Sequence, residues 1–267
     1  MARTAEEIAS NLRERIQSGE LQPGDRLPTM EALVDEHGVN RQTARQALAI
    51  LKNEGLVEYK GGRAGTFVRQ KPAERMVRAR AMERDNLGYY SGANVQHWRL
   101  IEGTRTEVGE EPCPADIAAH LGVEPGTPVV TRRRINGDPD VPARRQLTDS
   151  YLHPDAVAAV PVIAGNSGLG GIYDRIEEWA QQPIAWEEEL TAITPSPAEA
   201  EALLLPAGVP LLRVIRTSTV KVDGRPLVAE VNDIRFSAEI FAIRYPMTRR
   251  GAAKWPVQPA SADFYTS

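Results

Sequence analysis

The sequence predicts an α+β chain of two domains: a small helical unit closed by a β-hairpin, then a larger, mostly antiparallel sheet with helices beside it. Three observations carry this. The 267 residues exceed the usual size of one domain. The first seventy hold three capped amphipathic segments, then two β-rich runs around a glycine-rich turn. The remainder repeats one helix–loop–strand–turn–strand pattern at an offset of about 82–84 residues. The expected division is 1–70, a linker over 71–93, a second domain over 94–247 and a tail over 248–267.

Ile8, Leu12 and Ile16 recur every four residues, so residues 4–18 read as a helix. Thr4 with Glu7 three positions later makes a capping box, and Gly19 stops the helix. Leu21 to Pro28 form a rigid Pro-Gly loop. Thr29 caps a second helix that Gly38 ends, and Asn40 caps a third at once, from Arg41 to about Asn53. Two helices joined by a short glycine turn are a helix-turn-helix. Leu56–Lys60 and Thr66–Arg69, around Gly61–Gly65, read as a hairpin following the third helix, which is a wing.

Charge gives this arrangement a purpose. The chain carries a net −4, yet residues 39–80 hold ten basic residues against Glu54, Glu58 and Glu74. Such a basic segment on an acidic chain is the footprint of a nucleic-acid binder. Ala44, Ala47, Leu48 and Leu51 form the inner side of the third helix, leaving Arg41, Gln42, Thr43, Arg45 and Gln46 to face double-stranded DNA. Thr29 at the second helix, Arg63 and Gly65 at the wing tip, and Thr66 complete the expected surface. The wing turn feeds a strand rather than a helix, which disfavours a nucleotide phosphate loop.

In the second domain, Pro114–Ala118 opens a short helix leading through Pro125-Gly126 to a strand reaching Arg134. Pro197–Glu201 opens another, leading through Pro206-Ala207-Gly208 to a strand reaching Arg216. Turns at Asn136-Gly137-Asp138 and Asp223-Gly224-Arg225 return each as a hairpin, through Arg145–Tyr151 and Leu227–Phe236. Ile172–Gln181 is a further amphipathic helix. The linker is polar and arginine-rich, with Arg75, Arg78, Arg80 and Arg84 expected to be solvated or to touch DNA.

The chain is 42% hydrophobic, enough for a core without staples, and its lone Cys113 allows no internal disulfide. No apolar run is long enough for a membrane span, and the first residues lack the apolar core of a signal peptide, so a cytoplasmic location is expected. His37, His97, His120 and His153 are scattered, and no HExxH, GxSxG or Cys-His set occurs. No catalytic residue, cofactor or metal is expected, and the chain is not expected to be an enzyme.

Ile16, Gly19, Leu21 and Pro23-Gly24-Asp25-Arg26-Leu27-Pro28-Thr29 are followed by Gly38-Val39, Arg41, Thr43, Arg45, Ala47-Leu48, Leu51 and Glu54-Gly55-Leu56-Val57, then Gly65-Thr66-Phe67-Val68. This run resembles the GntR family of bacterial transcription regulators. The resemblance implies a homodimeric repressor-type regulator on a palindromic operator, with DNA affinity answering to a small-molecule effector. It implies operator contacts for Arg41, Thr43, Arg45 and Gly65. Glu31, where many relatives carry Arg, and the wing tip Arg63-Ala64-Gly65 depart from the family pattern and suggest an altered operator.

The repeat resembles the UTRA ligand-sensing domain of the HutC subfamily, similar in fold to chorismate lyase, over residues 94–247. It implies a pocket between sheet and loops. Arg132 and Arg134 match arginines that hold phosphate in sugar-phosphate-sensing relatives. Their spacing of two sets both on one face, where they grip an anion or simply form surface charge. Tyr173, Glu230, Phe236 and His97 complete the candidate effector site. Gly171-Ile172-Tyr173, Thr148 and Glu239-Ile240-Phe241 depart from the phosphosugar pattern, which leaves a partly apolar or aromatic ligand equally open. The alternatives are a constitutive DNA binder whose second domain only dimerises, and a lyase-like enzyme with a DNA-binding head.

Overall fold

The computed structural model describes residues 3–61, 64–72, 74–78, 81–85, 88–90, 95, 97–168 and 171–245. Three helices open the chain: α1 (Ala5–Gln17), α2 (Met30–His37) and α3 (Arg41–Asn53). The Thr4 hydroxyl accepts the Glu7 amide at 3.2 Å, and the Glu7 carboxylate accepts the Thr4 amide at 2.7 Å. Two otherwise orphaned donors of the first turn are thereby satisfied. Gly38 closes α2 at φ +63, a left-handed conformation that glycine adopts without strain. Asn40 then accepts the Thr43 amide at 2.9 Å and starts α3. Ile8, Leu12, Leu33, Ala44, Ala47 and Leu51 form one buried cluster, joined by Val57 and Val68. Those two valines face each other across β1 (Val57–Tyr59) and β2 (Thr66–Val68), so the wing is tied into the helical core.

The linker carries structure where the sequence, polar and arginine-rich, showed no hydrophobic period. β3 (Met76–Arg78), β4 (Glu83–Asp85) and β5 (Gly88–Tyr90) lie within it. Arg78, expected in solvent or on DNA, is buried, and Arg84 pairs with Asp174 at 2.6 Å. Arg80 lies outside the described residues, as does the expected tail over 248–267. Three-residue strands hold too few side chains to show a period, and β3 pairs with a segment more than 160 residues away.

The second domain runs β6 (Arg99–Leu100), β7 (Glu107–Pro112), α4 (Ala115–Leu121), β8 (Pro128–Gly137), β9 (Arg145–Leu152), α5 (Pro154–Ala159), a 3-10 turn (Pro161–Ala164), α6 (Gly171–Ala180), β10 (Ala185–Ile193), α7 (Pro197–Ala202), β11 (Leu211–Val222), β12 (Arg225–Ser237) and β13 (Phe241–Ile243). Seven strands form one antiparallel sheet in the order β10-β11-β12-β9-β8-β6, with β7 also on β8. The two sequence repeats, α4-β8-β9 and α7-β11-β12, meet at the centre through β9 and β12. β13 leaves the sheet and pairs in parallel with β3, Phe241 opposite Met76.

Alternation divides the sheet into two faces. Ile117, Ala118 and Leu121 of α4 cover one, against Tyr151, Ile215 and Val231. On the other, register sets Arg132, Ser150, Asn232, Arg216 and Glu188 in one row across five strands. α5, α6 and the 3-10 turn cover one end of that face, packing on Leu152, Val220 and Ala229. Its other end is roofed by the linker, and a cavity remains between.

Candidate DNA surface and effector cavity

On the head, Arg41, Gln42, Arg45 and Gln46 are exposed along the N-terminal turns of α3, while Ala44 and Ala47 are fully buried beneath them. The Arg41 guanidinium pairs with the Glu31 carboxylate of α2. Thr43 is half-buried, and its hydroxyl donates to Asn40 Oδ1 at 3.2 Å. The Thr29 hydroxyl accepts the Ala32 amide at 3.2 Å, which commits it to capping α2. Gly65 has φ +90, and a Cβ there would lie 3.1 Å from the Arg26 guanidinium. Arg26 therefore stands beside the wing turn, a placement not expected from the sequence although Arg26 lies inside the conspicuous Pro-Gly-Asp-Arg-Leu-Pro run. Thr66 pairs with Tyr59 at the start of β2. Arg63 lies outside the described residues. Exposed guanidinium and amide groups on a helix end beside a wing suit phosphates and base edges of a duplex.

The cavity beneath the linker has a volume of about 690 Å³. Met76, Trp98, Ile234, Phe236 and Phe241 make one wall apolar. The Phe236 and Phe241 rings meet edge to face at 5.2 Å, and Trp98 meets Phe241 at 5.8 Å. Beside them on the lining stand Arg134, Thr148, Tyr173, Arg216, Glu230 and Asn232. Arg134 donates through Nη2 to Ser150 Oγ at 2.8 Å. Glu230 is fully buried and its Oε2 accepts the Ser218 hydroxyl at 3.0 Å. Burial, helped by the neighbouring Glu230 carboxyl, pushes the Tyr173 hydroxyl up to about 12, so it remains a donor at neutral pH.

Of the six residues expected to hold an effector, Arg134, Tyr173, Glu230 and Phe236 line this cavity together. Arg132 does not. It shares a sheet face with Arg134, but its guanidinium turns to the carbonyls of Ile163 (2.9 Å) and Gly165 beyond β9. His97 also lies aside, with Nε2 3.6 Å from Asp138 Oδ2.

Sequence reasoning missed a second basic group. Arg78 and Arg216 both bind Glu188: Arg78 Nη1 donates at 3.1 Å and Arg216 Nε at 2.8 Å. Burial works to raise the Glu188 carboxyl, but the two guanidinium groups outweigh it and hold it below the usual carboxylate range. Arg216 holds the place in the second repeat that Arg134 holds in the first, 82 residues earlier, which is the signal that marks it. Nothing local marks Arg78. Among the described residues no group of three or more His, Cys, Asp or Glu is placed to hold a metal ion, and no helix is long and apolar enough to cross a membrane.

Residues 4–68 match the model of the bacterial regulatory proteins of the gntR family, and residues 104–241 match the UTRA domain. An uncharacterised HTH-type transcriptional regulator of Streptomyces coelicolor is 30% identical over 82% of this chain and 83% of its own length. An HTH-type regulator of Mycobacterium tuberculosis is 30% identical over 92% and 87%. The transcriptional repressor NagR of Bacillus subtilis is 28% identical over 79% and 82%. A solved structure described as a GntR-family transcriptional regulator, 25% identical, superposes with a TM-score of 0.61 over 92% of this chain and 98% of its own. The chain therefore belongs to the GntR family of bacterial transcription regulators, in its HutC-type branch, with a winged helix-turn-helix DNA-binding head joined to a UTRA ligand-binding domain.

Proposed function

We propose that the chain is a repressor that binds a palindromic duplex as a homodimer in the cytoplasm and leaves it when a small molecule fills the cavity. Arg41, Gln42, Thr43, Arg45 and Gln46 read the major groove, while Gly65, Thr66 and the wing follow the backbone beside it. The two-fold axis of a dimer matches the two half-sites of such an operator.

One observation carries the effector half of this reading. The segment joining head to sensor is itself a wall of the cavity, through Met76, Arg78, Met82 and Tyr89. A molecule entering the cavity touches the strand that carries the head. Any difference in its affinity for two linker positions becomes a shift between two head positions. The test is a fluorescence-anisotropy titration of the full chain on a duplex that it selects from random sequence, with sedimentation to count protomers per duplex. Two protomers on an inverted repeat are expected. One protomer on an asymmetric site contradicts the dimeric reading.

A further inference from the structure

We propose that the cavity recognises an apolar zwitterion, with its carboxylate on Arg134, its ammonium on Glu230 and its side chain against Phe236 and Phe241. This rests on the effector reading above and names the ligand class.

The charges in the cavity are unevenly matched. Arg78 and Arg216 share the Glu188 carboxylate, and Arg132 is spent on the two backbone carbonyls. A doubly charged phosphate monoester would need a cluster of free guanidinium groups, and this distribution does not offer one. Arg134 has only the neutral Ser150 hydroxyl, and no carboxylate pairs with it among the described residues. Glu230 is the converse, a fully buried carboxyl bonded to the Ser218 hydroxyl and paired with no cation among the described residues. Arg134 Nε and Thr148 Oγ1 are buried without a hydrogen bond, and Glu230 Oε1 and Asn232 Oδ1 are buried with only the Tyr173 hydroxyl close by, among the described residues, and no hydrogen bond of good geometry. Buried polar groups are costly to leave unmatched, and several around one cavity point to a missing polar partner.

Register places the two charges at a useful separation. The Arg134 guanidinium reaches to Ser150, whose cross-strand neighbour is Asn232, one strand spacing or about 4.8 Å away. Asn232 is two residues from Glu230 on the same face of β12. An anion-binding and a cation-binding group thus flank Asn232, with the Tyr173 hydroxyl beside Glu230 and Asn232. The aromatic wall continues from Ile234 to Phe236 along the same strand. A ligand that matches carries both charges on a short frame and one apolar substituent.

The test titrates L-phenylalanine, L-tryptophan and L-leucine into the full chain, read by calorimetry and melting temperature. 3-Phenylpropionate lacks the ammonium, phenethylamine lacks the carboxylate, and glucose 6-phosphate stands for a phosphate monoester. At least one amino acid is expected to bind, and for L-phenylalanine each half-molecule is expected to bind about tenfold more weakly or worse. Arg134→Gln should abolish the advantage of L-phenylalanine over phenethylamine and keep its advantage over 3-phenylpropionate. Three results overturn the proposal: glucose 6-phosphate binding more tightly than the amino acids, a half-molecule binding as well as L-phenylalanine, or no amino acid binding. Repeating the titration on the selected duplex separates the two readings. Release of DNA by glucose 6-phosphate sinks the zwitterion and leaves the effector reading standing. An amino acid that binds without releasing DNA upholds the zwitterion and sinks effector-driven release.

Discussion

Arg41 and Arg45 lie one turn apart on α3, yet their surroundings differ. Arg41 meets the Glu31 carboxylate, whereas among the described residues no carboxylate pairs with Arg45. Arg45 is therefore the better placed to read a base. Arg45→Ala is expected to cost about 1–3 kcal/mol and to relax selectivity at one base position. Anisotropy on a set of singly substituted duplexes checks this, and an equal loss on every sequence would show a phosphate contact instead. Glu31→Gln should strengthen DNA binding and steepen its salt dependence, since it removes an acidic group facing the DNA side. An unchanged salt slope would show that the pair already opens on DNA. Caps were legible from sequence because they are local: Thr4 and Glu7, Thr29 and Asn40 each act within three residues. The different fates of Arg132 and Arg134 were not. Equal spacing sets both on one face, and what separates them is a pair of carbonyls more than thirty residues further on.

At the scale of elements, the linker decides the architecture. Arg69, just after β2, donates to the Gly55 carbonyl at 2.7 Å and pairs with Glu239 in the turn before β13, one contact at 2.8 Å. Both side chains are nearly buried, at 7% and 12% exposure. Gly208 lies against the same corner of the head, where a Cβ would come within 2.3 Å of the Asn53 carbonyl oxygen. Head and sensor are latched through these contacts, and the latch shares its turn with Phe241 of the cavity wall. Glu239→Gln leaves a buried guanidinium unpaired, a loss of about 3–5 kcal/mol for the docked arrangement. Faster hydrogen exchange at residues 53–56 and 76–78 is expected, with the melting of the head unchanged. Exchange as slow as in the parent would contradict the latch.

The tie of β3 to the sheet also depends on pH. The depressed Glu188 carboxyl contributes stability that is full above its unfolded-state range and is lost as pH falls through its folded value. Acid should therefore loosen the linker before it unfolds the sheet, and Glu188→Gln should remove that part of the acid dependence. Denaturant unfolding followed across the acid range measures it, and an identical acid limb in the variant would contradict the assignment. None of this was legible, because β3 finds partners in β13 and β10, far along the chain. The repeat, by contrast, was legible: each copy carries its own helix cap, Pro-Gly loop and turn, and the fold joins the copies edge to edge through β9 and β12.

On the scale of the whole molecule, one chain places a basic recognition helix at one end and a mixed-charge cavity at the other. The linker forms part of the cavity and carries the head. Salt should weaken DNA binding steeply, since the positive charge is concentrated from α3 through the linker while the rest of the chain is acidic. The central claim is that filling the cavity changes how the head meets DNA. The most direct measurement is the anisotropy affinity of the full chain for its selected duplex, with and without a saturating amino acid that raises its melting temperature. A fall in affinity of about tenfold or more, about 1.4 kcal/mol of coupling, is the result this account predicts. Identical affinity at saturation would contradict it.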